Sequence, residues 1–234
     1  MGRLLAGTVM TAAVLTSVAG IGLLFLPLGF FVDFVWPLPA ALAWDGGVSL
    51  LFFLQHSVMV RRPVRAAMGV PDHYQGAVYA IASGVVLTAV MLLWQDSGEP
   101  LLVLQGPWRI AARTLSLGAL VFLAWGAIAL RGFDPCGVGP IRAHLRGHRL
   151  PDMPFVVRGP YRWVRHPLYC GIAVLFWTNP DITPDRLLFN VLWTAWIWIG
   201  LTLEETDLVN DFGDAYRRYQ REVPALIPWC GPLS

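Results

Sequence analysis

The chain has 234 residues, 56% of them hydrophobic and only 14% charged, with a mean hydropathy of +0.57. Soluble domains carry about 25% charged residues, so this composition excludes an ordinary water-soluble globule, and its hydrophobicity excludes a disordered chain. All 17 basic residues are arginine, which excludes lysine chemistry, and against 15 acidic residues they give a formal charge of only +2, too balanced for nucleic-acid binding to be the main task.

A helix crossing about 30 Å of hydrocarbon needs roughly 20 apolar residues. Leu4 to Phe31 is uncharged, about twice as long as the apolar region of a signal peptide and without a clear small-x-small cleavage pattern, so it reads as a retained helix. Leu38 to Val60 holds Asp45, Gln55 and His56; His73 to Trp94 is uncharged after its first residue; Trp108 to Leu130 carries Arg109 and Arg113 near its start. Pro167 to Thr178 is apolar but too short to span, unless its helix begins near Tyr161 and lets Arg162 and Arg165 snorkel to the interface. After the turn-rich Asn179–Pro184, Leu187 to Leu203 completes a helical hairpin. The expected fold is all-α, a polytopic transmembrane bundle of about six membrane helices whose last two form a hairpin.

With the amino terminus in the cytoplasm and six alternating crossings, fourteen arginines fall inside and only Arg109, Arg113 and Arg186 outside, which decides the orientation and puts both termini in the cytoplasm. Cys136, Cys170 and Cys230 have no paired spacing and read as free thiols on the reducing side. No repeat or low-complexity run is visible.

The densest polar constellation is Gly159-Pro160-Tyr161-Arg162-Trp163-Val164-Arg165-His166-Pro167-Leu168-Tyr169-Cys170-Gly171. On a helix, Arg162, Arg165, His166 and Tyr169 share one face, and a helix amino terminus suits a carboxylate. The plainer alternative is an interfacial belt of Arg, Tyr and Trp. Next come Glu204 and Glu205, two carboxylates at the cytoplasmic close of an apolar helix, where the dipole disfavours anions. They call for a partner, either Arg162, Arg165 or a bound cation, unless the helix simply continues into solvent. His56 within a membrane segment is a site candidate by default, or only an inter-helix hydrogen-bond partner. Asp45 is explained by a kink or a near-surface position. His144 and His148 are four apart, but lack a third ligand and lie among arginines, so no metal site is expected. There is no glycine-rich nucleotide loop and no evident strand, so the soluble Rossmann architecture is absent.

Arg165-His166-Pro167-Leu168-Tyr169, Glu204-Glu205 with Leu208, and Phe212-Gly213-Asp214-Ala215-Tyr216 with Tyr219 and Val223-Pro224-Ala225-Leu226-Ile227-Pro228 resemble the carboxy-terminal signature of the isoprenylcysteine carboxyl methyltransferase and phospholipid methyltransferase superfamily. Leu51 to Met59 with Arg61-Arg62-Pro63, Phe133-Asp134 with Gly137, and Phe176-Trp177 extend the likeness to its bacterial methanethiol S-methyltransferase and NnrU-like branch. The resemblance implies an integral-membrane enzyme of the bacterial inner membrane using S-adenosyl-L-methionine in a cytoplasm-facing pocket. Residues 1–130 would form a four-helix transmembrane region, and residues 131–234 the cofactor-binding methyltransferase region. The implied cofactor contacts are Met153 to Val156, Tyr161, His166, Pro167, Leu168, Tyr169 and Glu204; the implied acceptor is a small thiol, most simply methanethiol giving dimethyl sulfide. Superfamily members acting on a prenylcysteine carboxylate resemble one another in an arginine four residues before the first glutamate. Here that position is Gly200, which argues for a neutral acceptor, or else serves tight helix packing.

A thiol must lose its proton to become the nucleophile. Arg165 is the candidate to favour the thiolate, and His56 or Glu205 the candidate base. Membrane lipid and a small apolar acceptor are the expected partners, without nucleic acid or an obligate protein partner. Competing readings are a prenylcysteine or lipid-amine methyltransferase, and a haem-binding isomerase with His56 as axial ligand.

Overall fold

The computed structural model describes residues 2–24, 32, 34–130, 134–148 and 155–233. Its elements are α1 (Gly2–Leu23), α2 (Leu38–Met59), α3 (Arg62–Ala67), α4 (Asp72–Leu93), β1 (Leu102–Val103), α5 (Gly106–Ala129), α6 (Val138–Leu145), a 3-10 turn (Gly159–Arg162), α7 (Pro167–Trp177), β2 (Asp181–Ile182), α8 (Pro184–Phe212) and α9 (Asp214–Glu222). Helices α1, α2, α4, α5 and α8 are long and apolar enough to cross a membrane. They leave large apolar side chains such as Leu15, Leu51, Val121, Ile128 and Trp198 exposed, which suits a surface solvated by lipid. The chain divides into two compact units, Met1–Gly98 with Asp134–Asp152, and Glu99–Phe133 with Met153–Ser234.

In the first unit α1 packs along α4 through small residues. Ala6, Ala13 and Gly20, seven residues apart on α1, are buried, as are Ala77, Ala80 and Gly84 on α4. Lipid tails are as apolar as leucine, so burial alone does not drive helices together; close backbone approach does. At Gly84 the approach is so tight that a Cβ would stand 2.6 Å from the carbonyl carbon of Thr16. Gly137 precedes α6 with φ +62°, and a Cβ there would lie 2.4 Å from the amide nitrogen of Ala77. This lets α6 seat the fully buried Ile141 against the same alanine cluster. At the other end of α4, Asp45 of the unbroken α2 is completely buried and accepts the Gln95 amide at 2.9 Å, while the Trp44 indole donates to Leu93 O at 3.0 Å. Asp45 is thus a staple between helix ends, not the mark of a kink or of a near-surface position.

In the second unit the first arm of the hairpin is short, as its apolar run from Pro167 to Thr178 implies. The helix begins at Pro167, not near Tyr161, and its 11 residues rise only about 16 Å. It still runs the opposite way to α5. β1, just before α5, pairs antiparallel with β2, just after α7, and Arg109 holds Asp181 at this end with two hydrogen bonds of 2.9 and 2.6 Å. At the other end of α5, Gly126 faces Leu168, and Gly159 of the 3-10 turn sits against Trp125 and Ala129. The two strand residues each side of this bridge were not anticipated; two-residue runs carry no periodic signal.

Helix α8 starts with Pro184 after Thr183, whose side chain accepts the Arg186 amide, and Asp185 in its first turn suits the dipole. It does not end at the two glutamates but runs on to Phe212, so Glu204 and Glu205 lie inside it. Gly213 then turns the chain into α9, which docks through Tyr216, Tyr219 and Val223 against Phe155, Val157, Leu208 and Phe212. Tyr219 donates to Tyr161 O at 2.5 Å. Burial raises the pKa of Tyr161, Tyr216 and Tyr219 above the usual phenol value, reinforced by the negative charge of Glu204 at Tyr161 and of Glu205 at Tyr216.

Two predictions follow from this packing. Gly84→Ala should lower the thermal unfolding midpoint in detergent by several degrees, the cost of overpacking being about 1–3 kcal/mol. Gly118→Ala, whose added methyl meets nothing within 4 Å, should leave the midpoint unchanged or raise it. Equal midpoints for the two variants would refute the close-approach account. In a spectroscopic titration, Tyr161, Tyr216 and Tyr219 should stay protonated past the ordinary phenol midpoint near pH 10. Because their folded pKa values exceed the unfolded ones, they stabilise α9 docking fully below about pH 10 and lose that contribution as pH rises through the folded values. Loss of the late-titrating absorbance in Tyr→Phe variants checks the assignment; ordinary titration of all six tyrosines would contradict it.

Candidate active site

Pro167 shapes the site. The residue before a proline is pushed out of the helical region, and His166 sits at φ −124°, ψ 66°. The Val164 amide still reaches Pro160 O at 3.1 Å, but the next two turn to the tail: Arg165 N–H donates to Pro224 O at 2.9 Å and His166 N–H to Ala225 O at 3.1 Å. Irregular backbone at a membrane boundary is tolerated where protein satisfies it in this way. Arg162 and Arg165 are consequently not on one helix face with His166 and Tyr169. Arg162 instead closes on the end of the chain, its Nε donating to Leu233 O at 2.5 Å and its own carbonyl accepting Leu233 N–H at 2.9 Å.

Glu205 gathers four donors from two segments, the residues just before α7 and helix α9. Its Oε1 accepts Arg165 Nε at 2.5 Å, His166 Nε2 at 3.1 Å and the Tyr216 hydroxyl at 3.5 Å, and its Oε2 accepts Gln220 Nε2 at 3.1 Å. Both charged side chains of the Arg165–Glu205 pair are nearly buried, 11% and 16% exposed. Arg165 adds two bonds from Nη1, to Gln220 O at 3.0 Å and to Val223 O. This one ion pair therefore ties together the start of α7, the middle of α8 and the end of α9. Of the expected partners, Arg165 pairs with Glu205; the helix does continue past the glutamates, as the plainer alternative has it, but Glu205 is not a hydrated surface side chain.

Glu204 is different. It is 45% exposed, and among the described residues its nearest ring or guanidinium nitrogen in ion-pair range is His166 Nδ1 at 3.8 Å, beyond hydrogen-bonding range. The His166 ring stacks on Tyr169, with centroids 5.5 Å apart and planes 18° apart. No side chain caps the amino terminus of α7, where Pro167 and Leu168 open the helix. Tyr161 lies in the 3-10 turn and Val156 in a segment without regular secondary structure, about half exposed. Met153 and Pro154, like Phe133, lie outside the described residues.

The remaining candidates are His56, Gly200, His144 and His148. His56 belongs to the first unit, where the Tyr79 hydroxyl is 2.8 Å from its Nε2 and the Phe52 ring 5.3 Å away. Gly200 has nothing within 4 Å of a would-be Cβ, so tight packing does not explain that glycine. His144 stacks on His73 at 3.7 Å, and α6 ends at Leu145, so His144 and His148 do not share a helix face. Sequence reasoning missed Gln220 and the carbonyls of Val223 to Ala225. Tyr216, Tyr219, Gln220 and Val223 recur at three- and four-residue spacing in a short polar helix, a stripe that marks the face turned toward a partner.

No family model and no solved structure matches the chain. It is similar to a methanethiol S-methyltransferase of Pseudomonas deceptionensis, 38% identical over 207 residues that cover 82% of this chain and 74% of the relative. A methanethiol S-methyltransferase of Mycobacterium tuberculosis is 34% identical over 188 residues, 76% of this chain and 75% of the relative. Nurim of Sus scrofa is 29% identical over 184 residues, 71% and 68% of the two chains. Likeness of this extent, in a chain of five membrane-length helices, makes it an integral-membrane methyltransferase that belongs to the methanethiol S-methyltransferase family.

Proposed function

We propose that the protein transfers a methyl group from S-adenosyl-L-methionine to methanethiol, giving dimethyl sulfide, at a site built on α7, α8 and α9 within residues 131–234. The observation that carries this reading is the contrast between the two glutamates: Glu205 is saturated by four donors, whereas Glu204 beside it offers a carboxylate with no hydrogen bond among the described residues. A half-exposed carboxylate next to an uncapped helix amino terminus matches the two charged ends of an amino acid, so the residues present fit this donor. When bound, the donor supplies an electrophilic methyl group on a sulfonium.

Glu204 would hold its ammonium, and the positive end of α7, where Leu168 carries the first amide N–H behind Pro167, its carboxylate. Tyr161, Tyr169 and the stacked His166 present aromatic faces suited to a cation, and Val156 an apolar wall. Glu205 is assigned a positioning role, since four donors leave its oxygens little capacity for an acceptor's proton. Arg165 likewise acts through the clamp, its Nε and Nη1 being engaged. Positioning of this kind is the main resource for an in-line displacement at carbon, worth about 7–11 kcal/mol in favourable cases. The glycine at position 200, open on its Cβ side, supports an acceptor without a carboxylate to bind. The distribution of arginines supports the bacterial inner membrane with both termini cytoplasmic.

The test is a headspace assay on purified protein with S-adenosyl-L-methionine and methanethiol. Dimethyl sulfide should accumulate, and Glu204→Gln should weaken donor binding by about tenfold or more, the value of a charge-assisted hydrogen bond, with an unchanged unfolding midpoint. A wild-type protein that binds the donor but methylates only a prenylcysteine or a lipid amine would refute the reading, and so would Glu204→Gln with full donor affinity.

A further inference from the structure

Beside the Arg165–His166 segment the second unit has a half-open cavity of about 180 Å³ lined by Phe122 and Trp125 of α5, Trp163 and Val164 before α7, Cys170 of α7 and Pro228 of the tail. Its position ties it to the site. Val164 immediately precedes Arg165, and the Cys170 amide donates to His166 O at 3.0 Å, so one wall of the cavity is the backbone that presents the clamp. Val164 is 1% exposed, while Trp125 and Trp163 are each more than 40% exposed, so the cavity has a buried floor and an aromatic rim open to the surroundings.

Its chemistry selects its occupant. The six lining side chains include no charged group. A dry apolar cavity of about 150 Å³ holds a molecule the size of benzene, whereas drug-sized ligands occupy about 300–1,000 Å³. A molecule of a few heavy atoms matches this volume. Three aromatic rings and a thiol are polarisable neighbours that favour divalent sulfur.

We propose that this cavity is the binding site of the small apolar thiol acceptor and of its sulfide product, with Phe122, Val164 and Cys170 setting the size limit and the Trp125–Trp163 rim serving as the lateral port from the bilayer. The inference rests on the methyl-transfer reading for the identity of the occupant, but the cavity can be tested without turnover.

The experiment uses the full chain in lipid nanodiscs with Cys136 and Cys230 replaced by serine, leaving Cys170 as the reporter. Methyl methanethiosulfonate should place a methylthio group on Cys170, and dimethyl sulfide should slow that labelling several-fold, followed by mass spectrometry. In turnover, Cys170→Leu should raise the KM for methanethiol about tenfold, the scale of one methylene misfit in an apolar pocket, with donor affinity within twofold of wild type. Phe122→Ala should shift preference toward butanethiol by a similar factor. Labelling indifferent to dimethyl sulfide, as when a lipid tail holds the cavity, would overturn the proposal; so would unchanged KM values in both variants. Wild-type protein that methylates no thiol would overturn the function proposed above, and the labelling arm would then decide the cavity alone.

Discussion

The arrangement depends on a single ion pair, Arg165 with Glu205, placed where a membrane helix cannot begin. Pro167 forbids α7 from reaching back to Tyr161, so the preceding residues need hydrogen bonds from elsewhere. The tail provides them at Pro224 and Ala225, and Arg165 fixes the tail by holding Gln220 and Val223 carbonyls with the same guanidinium that pairs with Glu205. A planar five-donor group is suited to this task in a way that an ammonium is not. With both partners nearly buried, loss of either leaves an uncompensated charge, which costs about 3–5 kcal/mol. The pair therefore acts as the structural condition for a pocket wall made from three separate parts of the chain.

From this follows a division of labour between neighbouring glutamates that differ by 100° around α8. Glu205 points into the clamp, on the same side as the buried Leu201, and is consumed by it. Glu204 points out beside His166 and keeps its carboxylate available. The short α7 brings an uncapped amino terminus to the same place. A full-length helix would have carried that terminus beyond the glutamates, so the shortness of α7 is what gives the second unit a polar site next to an apolar cavity.

The membrane helices were legible because twenty-residue apolar runs admit one interpretation: α2, α4 and α5 lie where those runs predict, and α1 covers the first run as far as Leu23, residues 25–31 of that run lying outside the described residues. The cluster of Arg165, His166, Glu204 and Glu205 was legible because charge is scarce in this chain and each misplaced ion demands a partner. The backbone of the cluster was not. Three- and four-residue spacing suggested a helical face from Arg162 to Tyr169, but the proline at 167 outweighs that pattern. The end of α8 was likewise misplaced, because paired glutamates look like a helix boundary until Arg165 neutralises one of them. Gln220 and the tail carbonyls escaped notice because backbone acceptors have no sequence signature, and neutral glutamine in a polar helix looks like a solvated side chain.

The most direct test of this account is the affinity of Glu205→Gln protein for S-adenosyl-L-methionine, measured by calorimetry. The substitution preserves shape while removing the charge that holds Arg165, so the account predicts a loss of at least about tenfold even though Glu205 is not assigned to touch the donor. Binding within twofold of wild type would contradict it, and would show that the donor site stands without the clamp.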